Sequence, residues 1–334
     1  MSGRAVEKPI NANKKIKKTI LNSVLPSDIE YTDISEFTKR RLWRFNNIMF
    51  LFHTAFCITT LTVGKLNLMP SIYGISLSAN RTMSSIKDYS SFTLENAPKN
   101  WDSEIEDFLR VSTKKLTYGL PMTWLVAIFF FLSAFFHFGN ANIWWKNYIY
   151  YLEREQSPYR WIEYTFSAST MILIVAYGSG IRIETELFMI YILIATTMFF
   201  GHLTETINKK STSGDFWVLP LRQRLTPHFM GYVPQISAWA VILYTFSMNS
   251  EGAPPFVTVI VWTELVLFFS FGFVQLAVCI RKPSKYVQGE IAYQILSLVS
   301  KGFLGVILLT NVIFLEKWPC IVEEISKKVP SGYC

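Results

Sequence analysis

Long runs of apolar residues, separated by short polar segments, dominate the pattern of this chain. Seven runs are long enough for a helix of about 20 residues, the length that crosses the hydrocarbon core of a bilayer. The third and fifth runs carry polar residues of their own. The pattern predicts an all-α membrane protein, a seven-helix bundle with no separate soluble domain. The predicted runs are about 44–66, 119–145, 159–181, 185–207, 229–249, 255–280 and 288–315.

Basic residues lie mainly at the edges of these runs. The chain is 51% apolar with a net charge of +8, and the placement of that charge indicates membrane topology rather than a nucleic-acid partner. Alternate connections hold 20 Lys and Arg on one side and 11 on the other. Cytoplasmic loops are enriched in Lys and Arg, so we expect a multi-pass protein with a cytoplasmic N-terminus and an extracellular C-terminus. The expected parts are a basic polar segment 1–42, a seven-helix domain 43–316 and a tail 317–334.

The first connection, residues 67–118, is the only long loop in the predicted topology. Residues 71–78 alternate between polar and apolar side chains, which predicts short strands. Residues 80–82 form a glycosylation sequon, in agreement with an outer position. We expect this loop to be partly ordered and to cap the outer face, with a disordered loop as the alternative.

Lys301 lies inside the last apolar run. An ammonium group near the bilayer centre costs about 2.5–3.5 kcal/mol on insertion scales, so it needs a partner or a chemical use. One use is a buried ion pair. The other is a covalent Schiff base, because a lysine amine in an apolar site loses its proton readily and condenses with an aldehyde.

Glu163 is the best candidate for the carboxylate partner of such a group, followed by Glu264. Glu163, Ser167 and Met171 recur every four residues and therefore share one helix face. The alternative is an interfacial Glu163 paired with Arg160. Hydropathy puts Glu163 only one turn inside its run while Lys301 is near mid-membrane. The third helix is therefore predicted to extend inward past Pro158 if the two side chains meet.

Two Ser and two His residues have spacings that place them near this centre. Ser297 precedes Lys301 by four residues, and Ser133 precedes His137 by four, so each pair shares a helix face. His53 and His137 are expected at a similar depth, about 15 Å from the inner end. With no third ligand at that depth and no metal-binding cysteine spacing, we expect no metal. A proton acceptor or relay fits better, and a hydrogen-bonded structural histidine is the alternative for each.

Other polar and aromatic residues in the runs have less specific patterns. His202 and Glu205 are expected to reach the interface, and Glu290 to favour a helix N-terminus. Glu264 is isolated from basic residues, so we expect it to be protonated or to face a cavity. The aromatic stripe of the sixth run could enclose a polyene, although such stripes usually serve packing.

Taken together, these residues resemble the heliorhodopsins, a branch of rhodopsin-like retinal photoreceptors with inverted topology. The resemblance implies a non-enzymatic light sensor with all-trans retinal on Lys301 as a protonated Schiff base, a slow photocycle and a homodimer. It implies that Glu163 is the counterion, with Ser133 and Ser297 bonded into that centre, and that His53 and His137 line a cytoplasmic polar cavity. The residues that carry the resemblance are His53, Ser133 with His137, Arg160 to Tyr164 with Met171, and Ser297 with Lys301. The implied pocket residues are Met171, Trp239, Phe268 and Gln275.

Two alternative functions stay open from the sequence. Glu205 and Glu264 add carboxylates within the membrane, which favours a light-gated passive proton path as one alternative. The other is a seven-helix transporter or receptor without a chromophore, in which Lys301 and Glu163 form a structural ion pair.

Overall fold

The computed structural model describes residues 32–79 and 109–314. Within these ranges the chain forms eight α-helices and one two-stranded sheet. The predicted sequon at 80–82, the N-terminal segment before residue 32 and the tail lie outside the described residues. The helices are α1 (Glu36–Val63), α2 (Met122–Phe138), α3 (Trp145–Leu152), α4 (Pro158–Gly178), α5 (Glu184–Ile207), α6 (Leu221–Asn249), α7 (Pro255–Ile280) and α8 (Tyr286–Phe314). The strands are β1 (Ser71–Ala79) and β2 (Leu109–Gly119).

Six helices of the described ranges, α1, α2, α5, α6, α7 and α8, are long and apolar enough to cross a membrane. Helix α4 corresponds to the third predicted run and does not meet that criterion, although it has 21 residues. Its polar residues include Arg160, Glu163 and Ser167, and all three are buried inside the bundle. The polar residues of α4 thus face the other helices, while the exposed Ile162 and Phe166 form its apolar outer side.

Helix α4 begins at Pro158, which occupies its first turn. Proline is suited to that position because its missing N–H would have no partner within the helix. The expectation that this helix extends inward past Pro158 is therefore wrong. Lys301 still reaches Glu163 because side chains lean toward the N-terminus of their own helix, and the long Lys301 side chain does so from α8.

Helix α2 ends in a five-residue π-turn, Gly139–Ile143, before the short helix α3. The Trp144 ring lies directly on the Cα of Gly139, so that any side chain at position 139 would overlap the indole. Asn140 Oδ1 accepts a hydrogen bond from Trp144 Nε1 at 2.8 Å. A glycine is thus required for the chain to turn closely at the end of α2.

The strands β1 and β2 pair in antiparallel register, with Ser76 opposite Ser112. Strand β1 occupies the stretch whose alternation predicts a strand. The backbone N–H of Tyr73 donates to the Arg182 carbonyl at 2.9 Å, which joins the hairpin to the connection between α4 and α5. The hairpin therefore lies at the end of the bundle where α4 finishes.

Glu155 connects α3 to α4 and adopts a left-handed backbone conformation with φ of 55°. The Thr32 hydroxyl donates to its carboxyl group, and the Thr32 N–H donates to the Glu153 carbonyl at 3.0 Å. Burial raises the pKa of Glu155 to about 7. This contact fastens the segment before α1 to the α3–α4 connection.

Candidate functional site

Lys301, Glu163 and Ser133 meet in the interior of the bundle, from α8, α4 and α2 respectively. The Lys301 ammonium donates to Glu163 Oε1 and to Ser133 Oγ, the latter at 2.5 Å. Ser133 Oγ in turn lies 2.6 Å from Glu163 Oε1. Lys301 is 2% exposed and Glu163 is 4% exposed. The charges are therefore shielded from solvent and depend on each other.

Ser297, which is predicted at this centre, and Ser167, which spacing places on the face of Glu163, differ in their contacts. Ser167 Oγ lies 3.5 Å from Glu163 Oε1, at the limit of a hydrogen bond. Ser297 is buried, and its hydroxyl makes no hydrogen bond to Lys301 or Glu163. The structure thus brings Ser133 to the pair and leaves Ser297 beside it without a bond to Lys301 or Glu163.

Arg160 does not pair with Glu163, the alternative left open by the sequence. Its guanidinium group instead bridges Glu205 of α5 and Glu290 of α8. Glu205 Oε2 also accepts from Trp161 Nε1 at 2.7 Å, and Glu290 Oε1 accepts from the Tyr148 hydroxyl at 3.1 Å. This Arg160 centre is buried and places two carboxylates around one cation.

The Arg160 centre corrects the expected positions of Glu205 and Glu290. Both side chains are only 2–3% exposed. Glu205 therefore does not reach the interface. Glu290 lies near the start of α8 as expected, but it also forms a buried ion pair with Arg160. A carboxylate is stable in such a place only with a cation and hydrogen-bond donors, and Arg160 supplies the cation. The signal in the sequence was Arg160 itself, a cation one turn before Glu163 within the third predicted run.

His53 of α1 and His137 of α2 stack face to face, with ring centroids 5.6 Å apart and an interplanar angle of 11°. His137 Nδ1 shares a hydrogen bond with Asn46 Oδ1 at 2.8 Å. Both ring nitrogens of His53 are buried without a hydrogen bond to the described residues. Asn46, which the sequence patterns did not single out, thus orients one imidazole, and the other keeps a nitrogen available for a proton.

No group of three potential metal ligands occurs among residues 32–79 and 109–314. The His53–His137 pair therefore lacks a third ligand from the described chain.

Glu264 of α7 is fully buried beside α8. Its Oε2 accepts a hydrogen bond from Ser300 Oγ at 2.8 Å, whereas Oε1 has no partner in the described chain. Ser300 directly precedes Lys301. A second carboxyl group, that of Glu264 on α7, therefore bonds the residue that precedes the lysine.

A narrow apolar cavity adjoins the lysine. Met171 and Phe268, two of the predicted pocket residues, line it together with Lys301. An apolar cavity that meets a buried amine beside a carboxylate has the chemistry to hold a long apolar aldehyde. The remaining lining residues are Tyr164, Ser167, Ala168, Met198, Phe271, Ser297 and Ser300.

The other two predicted pocket residues lie farther out. Gln275 lines a second cavity, which shares Tyr164, Met198, Phe268 and Phe271 with the first. Trp239 is buried and lines neither cavity, but its ring packs edge-on against Phe268, with centroids 5.6 Å apart. Trp239 therefore packs against Phe268, a residue of the cavity wall, on the side away from the cavity.

Comparison with known proteins places this geometry in a family. The fold is similar to a light-driven proton pump from Leptosphaeria maculans, with a TM-score of 0.51, 12% identity, and coverage of 86% of this chain and 98% of that one. It is also similar to a cyanorhodopsin from the cyanobacterium Tolypothrix sp. NIES-4075, with a TM-score of 0.50, 9% identity, and coverage of 84% and 98%. No curated protein matches the sequence significantly.

The solved structures share the fold at identities too low to carry a function. The heliorhodopsin family model matches residues 42–313, which is well over half of the 334 residues. That match agrees with the resemblance found in the sequence and with the buried lysine between the helices. The chain belongs to the heliorhodopsin family of light-sensing, retinal-binding membrane proteins.

Proposed function

We propose that this protein is a light sensor that carries all-trans retinal on Lys301 as a protonated Schiff base. One observation carries the proposal: the Lys301 amine is buried against Glu163 and Ser133 and faces an apolar cavity. Retinal, when bound, supplies light-driven isomerisation of a polyene double bond. Met171 and Phe268 would hold the polyene, because both line the cavity at the lysine.

Glu163 and Ser133 keep a proton on the lysine nitrogen in the dark. A carboxylate in contact with a buried cation stabilises the charged form, and the Ser133 hydroxyl adds a second acceptor. Ser297 is a further candidate hydrogen-bond partner of the Lys301 nitrogen, since it is buried and lines the same cavity. Glu163 is thus the counterion, and proton transfer starts from the Lys301 nitrogen.

The histidine pair is the proposed destination of that proton on the cytoplasmic side. His137 follows Ser133 by one helical turn on α2, and His53 stacks on His137 with unpaired nitrogens. A neutral imidazole can accept a proton near physiological pH. We expect a slow, sensory-type photocycle, because no carboxylate of the Arg160 centre is free to return the proton quickly.

We propose that α1, α2 and α4 to α8 cross the membrane as seven helices, with the N-terminus cytoplasmic. The Lys and Arg distribution supports this orientation. The β1–β2 hairpin would then cap the extracellular end, and the Arg160 centre would lie at the cytoplasmic end. Family membership supports a homodimer in the bilayer.

The decisive experiment is to add all-trans retinal to the purified protein and record the visible spectrum. We expect a visible band in the wild type and none in Lys301→Ala. Lys301→Arg is the matched variant, because it keeps a cation beside Glu163 but cannot condense with an aldehyde. If the wild type gives no band, the lysine–glutamate pair is structural, and the protein is a transporter or receptor without a chromophore.

A second function, light-gated passive proton conduction, is favoured by the position of Glu264. Its carboxyl group bonds Ser300 next to Lys301 and keeps one oxygen unpaired, so it could take and pass a proton. Glu205, the other carboxylate considered for this path, forms an ion pair with Arg160 and is therefore the weaker candidate. Voltage-clamped cells would test it: a light-evoked current that reverses with the proton gradient supports conduction. Glu264→Gln should abolish that current, whereas Glu251→Gln, at an exposed position, should preserve it.

A further inference from the structure

The second cavity, between α4, α5, α6 and α7, contains polar groups that the proposed function does not use. It shares four lining residues with the lysine cavity, so the two cavities are neighbours. Besides Gln275, the residues that give it polar character include His228 and Gln235 of α6. Both are only 4% exposed.

Two atoms of this lining are buried and lack a hydrogen bond to the described chain. They are His228 Nε2 and Gln235 Oε1. A buried polar atom without a partner costs about 1–3 kcal/mol, so such atoms mark places where a ligand or an ordered water binds. Unsubstituted retinal ends in a hydrocarbon ring, which cannot satisfy either atom.

The hydrogen bonds around His228 assign its protonation. Gln275 Nε2 donates to the Gly201 carbonyl at 2.8 Å, so the oxygen of the same amide, Oε1, is the group that faces His228 Nδ1 at 3.0 Å. The oxygen can only accept, and His228 Nδ1 therefore carries the hydrogen. In a neutral imidazole the remaining nitrogen, Nε2, is then an acceptor.

The cavity thus presents two acceptors, His228 Nε2 and Gln235 Oε1, and both require a donor. A hydroxyl group supplies a donor, whereas a ketone oxygen does not. From this we infer that the site prefers a retinal whose ring carries a hydroxyl group over unsubstituted retinal. The inference rests on the proposed function, because it takes the chromophore to be attached at Lys301 with its ring in the second cavity.

The test uses retinols, which bind the pocket without condensing with lysine. Binding of all-trans retinol, its ring-hydroxylated form and its ring-oxo form to the apoprotein is measured by quenching of tryptophan fluorescence. One neutral hydrogen bond gives the hydroxylated form an affinity about 2- to 10-fold higher than that of retinol. The ring-oxo form should bind no more tightly than retinol. Ratios between ligands cancel the partition of each retinoid into detergent.

Three variants identify the atoms responsible. His228→Phe and Gln235→Leu should each reduce the advantage of the hydroxylated form while still binding retinol. His202→Phe is the matched control: His202 Nδ1 is likewise buried without a partner, but His202 does not line the cavity. This control should keep the full preference. If one cavity variant fails to fold, the other variant and the comparison of the three retinols in the wild type still test the preference for a ring hydroxyl group.

Two results would overturn the inference. One is equal binding of all three retinols by the wild type, which means that ordered water alone fills the cavity. The other is a preference that survives in both cavity variants. Neither result affects the proposed function, which fails only if all-trans retinal gives no visible band in the same preparation.

Discussion

The Lys301 ammonium and the Glu163 carboxylate are in direct contact although 138 positions separate them in the chain. Ser133 bonds to both, so three helices contribute to one charged centre. Removing either charge leaves the other buried without compensation.

Glu163→Gln should shift the visible band to the red. The carboxylate stabilises the positive charge of the ground state, and a neutral amide removes that stabilisation. In the apoprotein the same change leaves the Lys301 charge unpaired and should cost about 3–5 kcal/mol of stability. Absorption spectra and thermal unfolding measure the two effects. Glu264→Gln is the matched variant, and a shift in that variant alone would assign the counterion to Glu264.

Ser133→Ala and Ser297→Ala should differ in their effect on the pigment. Ser133 accepts from the Lys301 ammonium, and a hydrogen bond to a charged group contributes about 1.5–3 kcal/mol. Ser297 makes no hydrogen bond to Lys301 or Glu163. We expect a lower temperature of thermal bleaching for Ser133→Ala and little change for Ser297→Ala. Equal effects would mean that Ser297 joins the centre once retinal is bound.

Arg160→Gln should destabilise the protein by about 3–5 kcal/mol, because it leaves Glu205 and Glu290 buried without a cation. Loss of helical signal on heating measures the change. The triple variant Arg160→Gln, Glu205→Gln, Glu290→Gln removes all three charges and should recover much of the lost stability. A single variant as stable as the wild type would contradict the buried ion-pair geometry.

Glu155 should make the stability of the protein fall as the pH rises toward neutrality. Its pKa in the folded protein, about 7, lies above the ordinary value of 4.5, so folding favours the protonated carboxyl. The contribution is fully present below about pH 4.5 and is lost as the pH passes through 7. Glu155→Gln should flatten the dependence in thermal unfolding between pH 4.5 and 8. The same slope in Glu155→Gln and the wild type would exclude Glu155 as its source.

Much of the charged centre could be predicted from the sequence. Lys301 stands out because a cation in an apolar run is costly, and helical spacing puts Glu163, Ser167 and Met171 on one face. The contact of Lys301 with Glu163 required one further fact, the direction in which a long side chain leans. Spacing placed Ser297 on the face of Lys301 but could not tell that its hydroxyl would lie beside the centre without a bond.

The partners of Arg160 could not be predicted. Spacing along one helix fixes which residues share a face, but the rotation of α5 and α8 relative to α4 decides which carboxylates meet the guanidinium group. The same limit applies to Trp239, which is an aromatic in the correct segment but packs behind Phe268 instead of lining the cavity. Contacts between helices depend on packing geometry that periodicity does not contain.

The Arg160 centre ties α4, α5 and α8 together at a single level of the bundle. Lys301 lies eleven residues beyond Glu290 on α8, about 16 Å along the helix axis. A force on the Lys301 side chain should therefore rotate α8 about the point where Glu290 is held by the Arg160 guanidinium group. Displacement should be smallest at the start of α8 and grow toward its far end, beneath the β1–β2 hairpin.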